Sequence, residues 1–87
     1  MKDYLPIGSI VNLKNGKVKY MIIGYCKVLN GQKIEDKDYI ACIYPLGLTD
    51  LENLILFNNE DIEKIHVYGT KSEEYNNLKE LLTTENK

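Results

Sequence analysis

The chain has 87 residues, of which 44% are hydrophobic and 28% charged, and its formal net charge is −2. This length and balance predict a single domain over residues 1–87, and they exclude a largely disordered chain and two independent cores. All eleven basic residues are lysines. This argues against a nucleic-acid reader, because such proteins depend on the bidentate guanidinium of arginine and on a concentrated positive surface.

The first predicted elements form a hairpin. Residues 4–8 are an apolar entry segment in which Pro6 forbids a helix. Residues 9–14 contain β-branched side chains and predict a first strand. Asn15-Gly16 then predicts a two-residue type I′ turn, because both positions tolerate a positive φ. A second strand is predicted over residues 17–28.

Both alternate sets of side chains in this second strand are apolar. One set is Tyr20, Ile22, Gly24 and Cys26, and the other is Met21, Ile23 and Tyr25. A strand of this kind is covered on both faces, one by the core and the other by a helix, a neighbouring chain or a partner. Whichever of Ile22 and Ile23 points inward is expected in the core. Gly24 in mid-strand predicts a bulge or a tight bend.

A polar loop over residues 29–37 leads to a third predicted strand over residues 38–44. A simple hairpin centred on this loop would set Cys26 opposite Cys42, a register that a slip of one or two residues would change. In a reducing cell both cysteines are expected to be buried thiols. A cross-strand disulfide formed on oxidation is the sharper alternative.

The second half of the chain predicts two more strands joined by a helical turn. A leucine-rich loop over residues 46–53 precedes a fourth strand over residues 54–57. Asparagines followed by acidic residues predict a single helical turn at residues 58–62. A fifth strand over residues 64–68 follows, and Gly69 ends it.

The last predicted element is a helix over about residues 72–84, with Ser72 as its N-cap. Its apolar stripe consists of Tyr75, Leu78, Leu81 and Leu82. This order of elements predicts a mainly β fold, a small SH3-like five-stranded antiparallel barrel over about residues 4–69 with the C-terminal α-helix packed outside. A strongly bent open sheet backed by the helix is the alternative.

Residues suited to chemistry do not form a recognisable set. His66 is the only histidine, and Cys26 and Cys42 lack the close spacing of a zinc or redox site. The acidic residues at 50–52 and 60–63 fit the capping of short turns better than a cation loop. We therefore predict no catalytic, cofactor-binding or metal-binding residue and no enzyme activity.

Four motifs in order carry a resemblance to a known family. They are Tyr4-Leu5-Pro6-Ile7-Gly8-Ser9-Ile10-Val11-x-Leu13-Lys14, Met21-Ile22-Ile23-Gly24, Asp38-Tyr39 to Tyr44-Pro45-x-Gly47, and Leu56-Phe57-Asn58-x-Glu60-Asp61-Ile62. Over roughly residues 4–69 the chain resembles a small Gram-positive family, a domain of unknown function whose genes lie beside type VII secretion systems and LXG toxins. The family has no established catalytic residues to carry over.

The resemblance implies a cytoplasmic accessory factor of toxin export, a chaperone or adaptor that binds an LXG toxin or its small helical partner. An immunity-type inhibitor of a cognate toxin is the alternative, and a small nucleic-acid-binding barrel is a third class. The sequence predicts neither a signal peptide nor a membrane span. Apolar surface beyond the needs of a barrel core is expected to accept an amphipathic helix or an added strand from the partner, and core packing and a dimer of the chain are the rival explanations. The residues expected on that surface are Tyr20, Ile22, Tyr44, Leu46, Leu48 and Leu51.

Overall fold

The computed structural model describes residues 4–26 and 37–84. Its strands are β1 (Ile10–Leu13), β2 (Lys19–Tyr25), β3 (Tyr39–Tyr44), β4 (Ile55–Phe57) and β5 (Ile62–Val67). One helix, α1 (Glu73–Thr84), follows them, and two 3₁₀ turns lie at Leu51–Asn53 and Asn59–Asp61. The predicted mainly β architecture with a C-terminal helix is confirmed. The loop predicted over residues 29–37 lies almost entirely outside the described residues.

All five strands form one antiparallel sheet in the order β4-β3-β2-β1-β5. β4 and β5 are its two edges, so the sheet is open and does not close into the predicted barrel. Only residues 58–61 connect these edges. This connection is mostly a 3₁₀ turn, which rises about 2 Å per residue. The whole connection is therefore shorter than the roughly 19 Å that would separate β4 from β5 in a flat five-stranded sheet. The sheet must therefore curve round one face.

Side-chain hydrogen bonds fix the connection between β4 and β5. Asp38 is buried, and its Oδ2 accepts a hydrogen bond from the Asn59 backbone N–H at 2.8 Å. Within the turn, the Asn58 N–H donates to Asp61 Oδ2 at 2.9 Å. This confirms the expected capping role of the acidic residues here. The bonds hold the start of β3 and the end of β4 to the turn that leads into β5.

The link between β1 and β2 differs from the predicted two-residue turn. Five residues rather than two separate the strands. The Gly16 N–H donates to the Leu13 carbonyl at 3.1 Å, and Asn15 has a φ of 65°. A positive φ at the third position alone is the pattern of a type II turn, not of type I′. The Asn12 side chain then donates to the Val18 carbonyl at 2.9 Å and closes the rest of the loop.

The register of β2 against β3 separates the two cysteines. Met21, not Cys26, lies opposite Cys42. Cys26 lies at the other end of β3, where its N–H donates to the Asp38 carbonyl at 3.2 Å. The four residues from Asp38 to Cys42 span about 14 Å of strand, whereas a disulfide needs Cα atoms within about 7 Å. The predicted pairing is wrong because β2 ends before the predicted position, and Cys26 and Cys42 are both buried with no disulfide between them.

The inner, concave face of the sheet holds the core. Ile22 takes the inward position and is completely buried there. α1 packs on the same side, because Leu82 belongs to the core and Leu78 packs against it. Leu81, predicted in the same stripe, is exposed instead, since the helix buries only the narrower stripe at i, i+3 and i+7 from Tyr75. The core cluster consists of Tyr4, Leu5, Val11, Ile22, Tyr39, Ala41, Phe57 and Leu82.

The outer face of the sheet carries the alternate residues. Paired residues on neighbouring strands point to the same side of a sheet. One outer row is apolar and consists of Cys42, Met21, Ile10 and Val67. The next row is partly basic and consists of Tyr44, Lys19, Asn12 and Lys64. A bulge beside Gly24 in β2, which the mid-strand glycine predicts, interrupts the alternation above these rows.

Residues 4–8, which we call the arm, are tied to the core by tyrosine hydroxyls. The Leu5 N–H donates to Tyr39 Oη at 3.0 Å, and Tyr25 Oη donates to the Leu5 carbonyl. Tyr75 Oη donates to the Tyr4 carbonyl at 2.5 Å. Three elements that are distant in sequence, β2, β3 and α1, therefore converge on the backbone of the arm.

Ionisation of these tyrosine side chains is expected to lower the stability of the protein at high pH. Burial raises the pKa of Tyr25 from 10.0 to about 12, with a smaller contribution from Tyr75, and burial also raises the pKa of Tyr39. Since the fold favours the neutral phenols, their contribution to stability is complete below pH 10 and is lost as pH rises through 12. We expect an ultraviolet titration of tyrosinate to show a late step that Tyr25→Phe diminishes. A titration in which no tyrosine lags behind would contradict this.

Candidate protein-binding surface

Between β3 and β4 the chain forms an apolar loop, residues 44–51, that exposes its large side chains. Leu46 is 63% exposed, Leu48 50% and Leu51 73%, and Tyr44 at the start of the loop is 40% exposed. Leucine is ordinarily among the most buried residue types. A contiguous cluster of exposed leucines on a small domain is typical of an interaction surface.

Local hydrogen bonds give the apolar loop a defined backbone. The Gly47 N–H donates to the Ile43 carbonyl at 2.7 Å, and Gly47 has a φ of 83°, a conformation that favours glycine. Beyond Leu48, Asp50 Oδ1 accepts from the Glu52 N–H at 3.1 Å and caps the following 3₁₀ turn. The leucines are therefore presented on an ordered loop, which lowers the entropic cost of binding a partner.

A basic row of the outer face continues from the apolar loop. Tyr44 is both the first residue of the loop and the register partner of Lys19. Lys19 and Lys64 both lie opposite Asn12, on its two sides. Since neighbouring strands are about 4.8 Å apart, the two lysine backbones lie about 10 Å apart. The apolar loop and the basic row therefore meet at Tyr44.

His66 lies beside this row and is held by it. Its Nε2 contacts Asn12 Oδ1, and because the Asn12 amide nitrogen already donates to Val18, Nε2 is the donor. Desolvation and the charges of Lys19 and Lys64 lower the pKa of His66. The imidazole is therefore neutral at pH 7, and the positive charge of the row comes from its lysines.

The predicted partner-binding residues divide between the two faces of the sheet. Tyr44, Leu46, Leu48 and Leu51 come together in the apolar loop, as described above. Tyr20 packs on the inner face, with its ring centroid 6.4 Å from that of Phe57. Ile22 is buried in the core. Ile22 is therefore unavailable to a partner in this fold, whereas Tyr20 is partly buried on the same inner face.

Sequence reasoning missed Lys19 and Lys64 as members of the surface. They are far apart in the sequence, and only the cross-strand register through Asn12 brings them together. The exposed leucines, in contrast, are visible as an unusually apolar loop. A register derived from correctly placed strand ends would have revealed the lysine pair.

A second concave feature is a shallow groove of about 300 Å³ between the arm and α1. Tyr25 and Tyr75 line it, and both hydroxyls already donate to backbone carbonyls of the arm. Ser72 also lines it, and its Oγ accepts from the Tyr75 N–H at 3.1 Å as the N-cap of α1. These polar groups serve the fold.

Within residues 4–26 and 37–84, no three His, Cys, Asp or Glu side chains are grouped so that they could hold a metal ion. The helix in these ranges is too short and too polar to cross a bilayer.

A family model described as a domain of unknown function (DUF4176) matches residues 4–78. The chain belongs to this family. The matched region of the DUF4176 domain runs from the arm through all five strands to Leu78, so it includes the arm and the first half of α1. Comparison with curated proteins and with solved structures gave no significant match.

Proposed function

We propose that this DUF4176 domain is a non-enzymatic protein-binding accessory factor of type VII secretion, a cytoplasmic chaperone or adaptor for an LXG toxin or its small helical partner. The observation that carries the proposal is the exposure of three leucines, 63%, 50% and 73%, on one hydrogen-bonded loop. The secretion context comes from the sequence resemblance, and the mode of action comes from the surface.

The apolar loop fits a partner protein better than a nucleic acid. Base or phosphate recognition would call for arginine and for a broad positive surface, whereas the basic row contributes two lysines beside four apolar side chains. Exposed leucines and a tyrosine with a charged rim match the centre and edge of a protein interface. The order of the strands along the chain and the 3₁₀ turn between the two edge strands support an opened variant of an SH3-like small barrel as the scaffold.

Co-expression with truncated toxins tests the proposal. A chaperone or adaptor is expected to retain the N-terminal LXG region of a toxin encoded beside its gene, or that toxin's small helical partner. Retention of the C-terminal toxic region instead would identify an immunity-type inhibitor. If neither region nor the helical partner is retained, the proposed function is wrong.

Substitution of the exposed leucines is expected to abolish this retention without unfolding the domain. Leu46→Ser with Leu51→Ser should weaken binding by about tenfold or more, because apolar groups at the centre of an interface dominate its affinity. Substitutions at exposed positions usually change stability by about 0.5 kcal/mol or less, so the thermal midpoint should barely move. The measurement is affinity by titration calorimetry together with circular dichroism.

Leu81→Ser is the matched control. Leu81 is also an exposed leucine, 48% accessible, but it lies on α1. The Leu81→Ser variant should bind the toxin as tightly as the wild-type protein does. Equal loss of binding in Leu81→Ser would show that the apolar loop is not the contact surface. A dimer of the isolated chain that the loop substitutions dissociate would assign the loop to a second copy of the chain.

A further inference from the structure

We propose that the occupant of this surface is an amphipathic helix that lies along the basic row, with carboxylates over Lys19 and Lys64 and apolar residues over the apolar loop. The inference rests on the proposed function and specifies the chemistry of the partner. The class of partner follows from three features of the described surface: its charge, its sheet edges and its dimensions.

Charge favours an acidic segment over the row. Lys19 and Lys64 flank Asn12 on one face of the sheet, and after desolvation their charges contribute to the lowered pKa of His66. The electrostatic fields of the two lysines therefore overlap above Asn12. None of the row's four residues carries a carboxylate. The apolar loop, in contrast, contains Asp50 and is followed by Glu52. The surface is thus positive at one end and negative at the other, and a complementary partner is acidic only over the row.

The two edges of the sheet argue against an added β-strand. β4 has only three residues, Ile55–Phe57. β5 is longer, but its pairing with β1 is shifted at two places, and its edge carries Glu63 and Lys64. Short, irregular and charged edges are the devices by which sheets avoid pairing with further strands. The apolar loop offers exposed side chains, which the face of a helix can contact. It does not offer the unpaired backbone groups of a strand edge, to which an added strand would bind.

The dimensions of the surface match a helix of about four to five turns. The lysine backbones lie about 10 Å apart, the rise of seven helical residues, so two carboxylates at positions i and i+7 can face both lysines. The row from Lys64 to Tyr44 crosses three strand spacings, roughly 14 Å, and the loop extends it. An 18-residue helix of about 27 Å spans the row and extends past Tyr44, where the loop begins.

Synthetic peptides test this chemistry directly. The first is an 18-residue amphipathic peptide with glutamates at i and i+7 near one end and leucines at helical spacing toward the other. The second carries lysines in place of those two glutamates. At low salt the full chain is expected to bind the glutamate peptide about tenfold more tightly than the lysine peptide, measured by fluorescence anisotropy.

Charge reversal on the protein should invert the preference. Lys19→Glu with Lys64→Glu is expected to favour the lysine peptide, whereas Lys37→Glu with Lys71→Glu, the same change of charge elsewhere on the surface, should leave the preference unchanged. Leu46→Ser with Leu51→Ser should weaken binding of both peptides. Circular dichroism on binding should show a gain of helix.

The outcomes separate this inference from the proposed function. The acidic-helix inference would be overturned if the protein bound both peptides equally or bound neither. It would also be overturned if Lys37→Glu with Lys71→Glu abolished the preference as fully as Lys19→Glu with Lys64→Glu does. Either result would count even if the toxin fragment co-purifies. Binding of the glutamate peptide with an extended conformation would overturn the helix. Selective binding of that peptide with no retention of any toxin fragment would uphold the surface and reject the secretion role.

Discussion

Gly69→Ala is expected to destabilise the domain by about 3 kcal/mol, a large part of the roughly 5–15 kcal/mol that holds a small domain folded. A Cβ added at Gly69 would lie 2.1 Å from the Ile7 carbonyl oxygen and 2.9 Å from its carbon. These are backbone atoms, so no side-chain rotation relieves the clash. The Gly69 N–H also donates to Ser9 Oγ at 3.0 Å, so moving the backbone apart breaks this bond too.

Urea unfolding followed by circular dichroism measures the effect, and Gly16→Ala is its control. A Cβ at Gly16 would meet the Leu13 carbonyl oxygen at 3.5 Å, an ordinary contact, so this change should cost about 0.5 kcal/mol or less. If the two variants unfold at the same urea concentration, the segment after β5 does not cross the arm as closely as the structure shows.

Ile22→Ala is expected to cost about 2–5 kcal/mol, because it removes a completely buried aliphatic side chain and leaves a cavity beneath α1. Ile22 lies in the core cluster between Ala41, its register partner, and the helix residue Leu82. The curved sheet and α1 cannot both move to fill the space, since the arm is tied to each of them. The loss should appear as a lower midpoint in urea unfolding.

Ile23→Ala provides a neighbouring control of identical chemistry. Ile23 lies in the bulge of β2 and is only half-buried, so its truncation should cost about 1 kcal/mol. A larger loss for Ile23→Ala than for Ile22→Ala would show that the two faces of β2 are exchanged. In that case Lys19 would not lie on the outer face, and the basic row would not exist there.

The sequence predicted the elements of this fold well because their signals are local. Short apolar or β-branched runs bounded by turn residues indicated the five strands, Ser72 and the acidic first turn indicated α1, and Gly24 indicated the bulge. Register was not predictable in this way. It depends on where β2 ends, and the misplaced end set Cys26 opposite Cys42 when Met21 occupies that position.

Long-range polar contacts were also beyond sequence reasoning. The Leu5 N–H and Tyr39 Oη are 34 residues apart, and Tyr75 Oη and the Tyr4 carbonyl are 71 apart. Nothing in the spacing of seven tyrosines distinguishes those that bond to the arm from those that face solvent. The exposed leucines of the candidate site were predictable, since a loop richer in leucine than usual needs a reason, whereas the lysine pair required the register.

The attachment of the arm also bears on the order in which the protein can fold during synthesis. The arm leaves the ribosome before β1 to α1, yet one of its backbone carbonyls accepts a hydrogen bond from Tyr75 in α1. A nascent chain that ends before α1 can form the hairpin of β1 and β2, whose contacts are local. Docking of the arm is completed only after α1 has emerged, so the arm is among the last parts of this domain to reach its final position.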